Sequence, residues 1–277
     1  MLAKRIITAV ILAPIMAAGI FFLPLPQFAA FIGFITLLGA WEWSNLAGVS
    51  SLLGRAAYTG AIAVVLAGLY WLQLSVPDVG YYVLWIGLAW WLLAFYFVST
   101  YPKSIGVWQP QVMQLVMGGL VLIPMWVGFY FLKQFPNSSL WIILLMLFIW
   151  GADVGAYFAG RLFGESKLAP NVSPGKTWAG VVGGLITVYL VAILAGLFFA
   201  PGEGFNATNW LSFLFAATVV SAVSIIGDLV ESMVKRNRGV KDSSNLLPGH
   251  GGVLDRADSM CAAVPVFALA LSILPIA

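Results

Sequence analysis

The sequence predicts an all-α, polytopic integral membrane protein of about nine transmembrane helices, with the N-terminus in the cytoplasm and the C-terminus outside. Three observations carry this prediction. Of the 277 residues, 62% are hydrophobic and 8% charged, against roughly 25% charged in an ordinary soluble domain, which excludes a water-soluble globule. Apolar runs recur at approximately 6–23, 28–47, 56–76, 81–100, 112–132, 140–162, 178–200, 210–232 and 257–276, each near the ~20 residues that cross a bilayer. Threaded from a cytoplasmic N-terminus, nine spans leave twelve of the 13 basic residues inside and only Lys133 outside, the asymmetry that orients membrane chains.

The first span follows Lys4 and Arg5. Its apolar run approaches bilayer length and leads almost directly into the second, with no small-residue cleavage site before polar sequence, so it reads as a span rather than a secretory signal. Spans two to five carry few charges. Residues 1–139 are therefore expected to form an N-terminal transmembrane scaffold of about five helices, and residues 140–277 a catalytic region of about four helices with polar cytoplasmic loops. Trp41, Trp43, Tyr101 and Trp108 lie near span ends, where interfacial aromatic belts form. Cys261, the only cysteine, excludes an intrachain disulfide and a thiolate metal cluster. No nucleic-acid partner is expected.

The chemistry is expected in two stretches, 153–176 and 228–258, which hold 15 of the 23 charged side chains in 55 residues. In span six, Asp153, Tyr157 and Arg161 recur every four residues, one position after Ala152, Ala156 and Gly160. Such small residues admit a neighbouring helix closely, while the polar ladder faces a cavity or partner. The connection to span seven contains Ser173-Pro174-Gly175-Lys176-Thr177. It resembles the end of a nucleotide-binding P-loop, but Pro170 stands where that motif needs glycine and no strand is expected upstream. Ser173, Lys176 and Thr177 can still hold phosphate at the start of a helix; the alternative is a helix cap and a membrane-surface anchor.

Span eight carries Ser221, Ser224, Asp228, Glu231 and Lys235 at three- and four-residue spacing, one polar stripe on a helix. A carboxylate within a span costs about 2.5 to 3.5 kcal/mol on insertion scales, so Asp228 requires a cation, hydrogen bonds or water. A purely structural pairing with Lys235 or Arg256 would also meet that need. Next come Lys235, Arg236, Arg238 and Lys241, then a glycine-rich turn with Gly249, His250, Gly251 and Gly252. Basic side chains neutralise phosphates and glycines let amides approach an anion; a basic run alone would equally anchor to anionic lipid headgroups. Asp255 and Asp258 share a face at the start of span nine and, with Asp228, offer the oxygen ligands magnesium prefers. A lone loop histidine such as His250 more often packs or caps than catalyses.

The segment 232–258 reads Ser-x-x-Lys-Arg-x-x-x-x-Lys-Asp-x-x-x-x-Leu-Pro-Gly-His-Gly-Gly-x-x-Asp-Arg-x-Asp. It resembles the C-terminal motif of the phosphatidate cytidylyltransferase (CDP-diacylglycerol synthase) family, and the stretch from Gly151-Ala152-Asp153 to Lys176-Thr177-x-x-Gly180 is similar to that family's other recurrent segment. The resemblance implies transfer of a cytidylyl group from CTP to phosphatidate, giving CDP-diacylglycerol and pyrophosphate in phospholipid biosynthesis, with Mg2+ required. It further implies a bacterial inner (plasma) membrane location with the active site facing the cytoplasm. Asp228, Asp255, Lys235 and Lys176 are the expected catalytic residues, and Asp228, Asp255 and Asp258 the expected metal ligands. Ser173, Lys176, Thr177, Lys235, Arg236, Lys241, Arg256, Gly251 and Gly252 are expected to bind substrate, and Asp153 to orient Lys176 or a metal-bound water. CTP, phosphatidate with its surrounding lipid, and a second copy of the chain are the expected partners. Two rivals stand beside this reading. A CDP-alcohol phosphotransferase lacks its expected aspartate motif here, whereas an ion- or proton-coupled transporter would use Asp153 and Asp228.

Overall fold

A computed structural model describes residues 2–76, 78–199, 206–274 and 276. The chain forms α1 (Leu2–Phe22), α2 (Leu25–Leu46), α3 (Leu52–Ser75), α4 (Val79–Ser99), short α5 (Ile105–Trp108), α6 (Gln111–Gln134) and α7 (Ser138–Phe163). A two-stranded hairpin, β1 (Lys167–Ala169) and β2 (Ser173–Thr177), leads into α8 (Trp178–Phe199), α9 (Ala207–Arg238) and α10 (Leu254–Ile273). Among the described residues, nine of these helices are long and apolar enough to cross a membrane, in agreement with the all-α, nine-span expectation.

Local chemistry fixes the ends. Pro24 and Pro26 open α2, where a missing N–H costs nothing. The Ser51 side chain accepts from the Gly54 amide at the start of α3, and Asn206 and Asn209 cap α9 reciprocally. The main departure in length is α9. Its polar end, expected in a loop after residue 232, stays helical through Arg238 and stops at Gly239, whose φ of 75° suits glycine. At about 1.5 Å per residue, a helix of 32 residues outruns the ~30 Å hydrocarbon core. Lys235, Arg236 and Arg238 thus occupy its last turn, where cations oppose the helix dipole.

The most buried span is α6, with 72% of its apolar window inside the protein, against 11% for α3 and 17% for α1. Gly128 of α6 lies against the backbone of Pro265 in α10, close enough that a Cβ would sit 2.9 Å from it. Indole N–H groups tie α2 to α6: Trp43 donates to the Gln114 carbonyl at 2.7 Å and Trp126 to the Ala29 carbonyl at 2.9 Å. Two aromatic residues expected in an interfacial belt are therefore core residues. Trp43 and Trp108 are each 1% exposed, and Trp108 stacks on Tyr101 with its N–H directed at Ser104. Trp41 lies under the Arg55 guanidinium, 4.4 Å from it.

The small-residue ladder of span six does what its spacing predicts. Gly184 and Gly180 of α8 pack on the carbonyls of Ala152 and Ala156, and Gly183 meets Ala159 and Gly155 of α7. The turn of this helical pair is the antiparallel hairpin, in which Lys167 pairs with Thr177 and Ala169 with Ser173. This element was not expected from the sequence. Long-range contacts gather the polar connections at one end of the bundle: Arg5 to Gly249, Thr8 to Pro248, Glu42 to Ser243 and Asn171 to Tyr101. Lys133 sits apart and is bound to the Ile20 carbonyl.

Cysteines introduced at residues 171 and 240, in a background with Cys261 replaced, will be labelled from the cytoplasmic side alone, and one at residue 137 from the outer side alone. Labelling of 171 and 240 from opposite sides would overturn this nine-span arrangement.

Candidate active site

Three linked groups of polar side chains occupy the gathered end. The first joins the hairpin to α9. Lys176 on β2 reaches the Asp228 Oδ2 at 2.8 Å, and Asp228 Oδ1 accepts from Ser232, one turn further along the helix, at 3.1 Å. Both partners of this pair are partly open, with side chains 25% and 32% exposed. Lys176 also lines a cavity of about 210 Å³ with Asp153, Tyr157, Thr177, Gly180 and Ile225. The close packing of α7 on α8 sets the position of this cavity, because Asp153 and Tyr157 lie on the same helix as the small-residue ladder.

The second group is buried. Lys235 stands between Asp255 Oδ1 at 2.6 Å and Glu231 Oε1 at 3.0 Å. Asp255 Oδ2 accepts from the Ser243 amide at 2.8 Å, the Ser243 hydroxyl at 2.9 Å and the Gly252 amide at 2.7 Å. Gly251, at φ 82°, leaves the space into which a side chain would strike the Asp255 carboxylate. In the third group Glu42 of α2, 1% exposed, accepts from Ser243, Ser244, Val253 and Leu254.

The two charged stretches meet as the sequence predicts, but their side chains take other partners. The pairing of Asp228 with Lys235 or Arg256 is replaced by Asp228 with Lys176 and Lys235 with Asp255. Lys235, expected to hold substrate phosphate, has its ammonium engaged by two buried carboxylates. The Gly252 amide, expected to face an anion, is bonded to Asp255. Thr177 is 5% exposed and accepts from the Gly180 amide at 3.1 Å, the capping alternative, while also lining the cavity. Ser173 is half-buried at the start of β2. Arg236, Lys241 and Arg256 are exposed, with Arg236 directed at the Val240 carbonyl. His250 uses its backbone N–H to close a turn on Leu247. Asp153 lies within electrostatic reach of Lys176, Asp228 and Arg256.

The three acids expected as metal ligands differ in their partners. Asp255 Oδ1 takes Lys235, and its Oδ2 takes the Ser243 and Gly252 amides and a share of the Ser243 hydroxyl. Asp228 takes Lys176 and Ser232. Gly227 packs on the Asp258 backbone, bringing α9 and α10 together, and Asp258 lies in electrostatic reach of Asp228 and Lys176. Asp258 Oδ1 accepts from the Ser259 amide at 2.7 Å. Among the described residues, no three Asp, Glu, His or Cys side chains converge to grip a metal unaided.

Glu42 escaped the sequence analysis. The signal was present, since a lone acid in an otherwise apolar span is by default a candidate functional group. Arg5 and Thr8, which hold the carbonyls of Gly249 and Pro248 at 3.0 and 2.9 Å, carry no comparable sequence signal.

Fold and site define a polytopic membrane protein that assembles acids and bases at one end of its helices. The chain belongs to the cytidylyltransferase family, whose sequence profile matches residues 3–274. It is 50% identical over 271 residues to a phosphatidate cytidylyltransferase of Pseudomonas aeruginosa, covering 98% of this chain and 97% of that one. It is 38% identical over 281 residues to a protein of the same name from Haemophilus influenzae, covering 96% and 97%. A third, from Staphylococcus saprophyticus, is 42% identical over 146 residues, about half of each chain.

Asp228→Asn and Asp255→Asn should separate by stability. Removing one partner of a buried, hydrogen-bonded ion pair costs about 3–5 kcal/mol, so Asp255→Asn will lower the thermal midpoint of the detergent-solubilised protein sharply. The half-open Asp228→Asn will stay close to wild type. Equal midpoints, read as the temperature at which the monodisperse size-exclusion peak is lost, would refute the structural role of Asp255.

Proposed function

We propose that the protein transfers the cytidylyl group of CTP to phosphatidate, forming CDP-diacylglycerol and pyrophosphate in phospholipid biosynthesis. The observation that carries this reading is the likeness, over 98% of the chain, to a relative bearing that enzyme's name. The geometry accords with it. A phosphate oxygen of phosphatidate forms a bond to the α-phosphorus of CTP while the bond from that phosphorus to the oxygen bridging the β-phosphate breaks, and pyrophosphate leaves. The attacking oxygen is already anionic, so no strong protein base is required. The obstacle is repulsion between two polyanions, and cations positioned around the transferring group remove it.

Lys176, at the mouth of the cavity, is the side chain assigned to the transferring phosphates, with Arg236, Lys241 and Arg256 drawing in the rest of the two substrates and Ser173 beside them. Lys235 acts indirectly, by holding Asp255 and Glu231. Asp228, Asp255 and Asp258 would hold magnesium, which when bound supplies positive charge against the phosphate oxygens. Val154, Tyr157 and Phe158 form an exposed apolar strip beside Asp153, suited to acyl chains that stay in the bilayer while the headgroup enters the site. With twelve of 13 basic residues at this end in the nine-span threading, the site is assigned to the cytoplasmic face of the inner membrane, where CTP is available. The transporter reading is set aside, because the relatives carry the name of a transferase.

Purified protein supplied with phosphatidate, CTP and Mg2+ will release pyrophosphate in step with CDP-diacylglycerol, and omission of phosphatidate or chelation by EDTA will stop both. Lys176→Ala will lower turnover roughly 100-fold at saturating substrates, as loss of a donor to a developing charge does. Lys176→Arg will restore little, since a planar fork does not replace a compact ammonium. Failure of the wild-type protein to form CDP-diacylglycerol would overturn the assignment.

A further inference from the structure

We infer that Glu42 is a positioning residue of this active site: from the apolar N-terminal half, it fixes the loop 243–254 and the first turn of α10. The inference rests on the proposed transferase function for its activity readout, but its geometry is independent of it. Glu42 lies on α2, some 200 residues away in sequence from the groups it binds. Its Oε1 accepts from the Ser244 hydroxyl at 2.5 Å and the Val253 amide at 3.0 Å; its Oε2 accepts from the Ser243 hydroxyl at 3.1 Å and the Leu254 amide at 2.8 Å.

Each oxygen therefore holds one backbone amide from the start of α10 and one hydroxyl from the far end of the loop. The carboxylate closes the neck of the loop. Among the described residues no cation is bonded to it; the Val253 and Leu254 amides, the Ser244 hydroxyl, a Ser243 hydroxyl proton shared with Asp255 and the positive end of α10 stabilise its charge. The neighbouring groups fit around it. Gly252 has no room for a side chain, because a Cβ there would meet Ser243 Oγ and stand 2.5 Å from Glu42 Oε1. Ser243 bridges Glu42 to Asp255 through a single hydroxyl. The turn of α10 that Glu42 caps carries Asp255, Arg256 and Asp258, so a shift of the loop moves those three groups relative to Lys176 and Asp228, which stand on other elements.

The arrangement makes glutamine a sharp probe. Glutamine keeps the size and polarity, but its NH2 group, in either orientation, faces the Val253 or the Leu254 amide, donor against donor. Misplacement of about 1 Å in a reacting constellation costs on the order of 100-fold in rate. Glu42→Gln is therefore expected to lower kcat about that much while KM for CTP changes less than about threefold, since Lys176 on β2 and Arg236 on α9 stay in place. Ser244→Ala, a milder variant that removes one donor, will lower kcat less. The double variant will fall no further than Glu42→Gln alone, because both act through the same neck. Hydrogen exchange of peptides covering 243–256 will speed up in Glu42→Gln, with peptides from α7 and α8 unchanged.

Wild-type protein is assayed alongside: if it makes no CDP-diacylglycerol, the functional assignment fails, whereas the exchange measurement still tests the clamp. Near-normal kcat in a folded Glu42→Gln, additive losses in the double variant, or unchanged exchange in 243–256 would each overturn the inference. If Glu42→Gln does not fold, the Ser244→Ala variant decides by the same two readouts, and a wild-type kcat with wild-type exchange there would overturn it.

Discussion

The Lys235–Asp255 pair is the interaction around which the polar end of this membrane protein is organised. Asp255 is 8% exposed and Lys235 7%, at a depth where an unpaired charge is expensive. Every lone pair and proton must find a partner inside the protein. Asp255 does so by taking Lys235 from α9 and three donors from the loop, which dictates the loop's path. That path needs a left-handed glycine at 251 and no side chain at 252. Residues that look like an anion-binding turn are thus first the means of folding a loop around a carboxylate.

The second constraint comes from the helices. Lys176 can reach Asp228 only if the hairpin beneath it is held close to α9, and the hairpin is short because α7 and α8 are nearly in backbone contact. Glycines at 155, 180, 183 and 184 permit that contact. In lipid, where apolar surface gains little by leaving the solvent, close backbone packing is the main force between helices. Precision at Lys176 is therefore derived from residues that themselves carry no chemistry.

Much of this was legible in the sequence because membrane insertion leaves strong marks. Span number, the closeness of α7 and α8, and the meeting of the two charged stretches all follow from hydropathy, small-residue spacing and the positions of Lys and Arg. The particular partners did not follow. Periodicity placed Asp228 and Lys235 on one stripe of α9, but seven residues separate them, about 10 Å of helix at 1.5 Å per residue. Each instead found a nearer opposite charge on another element. Trp43 and Trp108 sit where a belt was expected, yet their N–H groups point inward at protein acceptors. Glu42 was lost in the apolar half because no second charge nearby in sequence marked it. Its partners are hydroxyls and backbone amides, which leave no charge pattern to detect. The expected boundary at residue 139 followed composition, while the hydrogen bonds of Glu42, Arg5 and Thr8 cross it.

Burial also resolves an apparent electrostatic paradox. The segment 228–258 contains five acids and five bases, so by count it offers nothing to a polyanion. The two signs are partly sorted by depth, with Asp242 the one exposed acid. Glu231 and Asp255 are buried around Lys235, whereas Arg236, Arg238, Lys241 and Arg256 are exposed. A buried carboxylate paired with an ammonium projects little field beyond the pair, and exposed cations project theirs into the surroundings. The exposed charges of the segment are therefore four bases and one acid, although the segment is neutral by count. The same sorting leaves Asp228 partly open beside Lys176, with Asp258 in electrostatic reach of both.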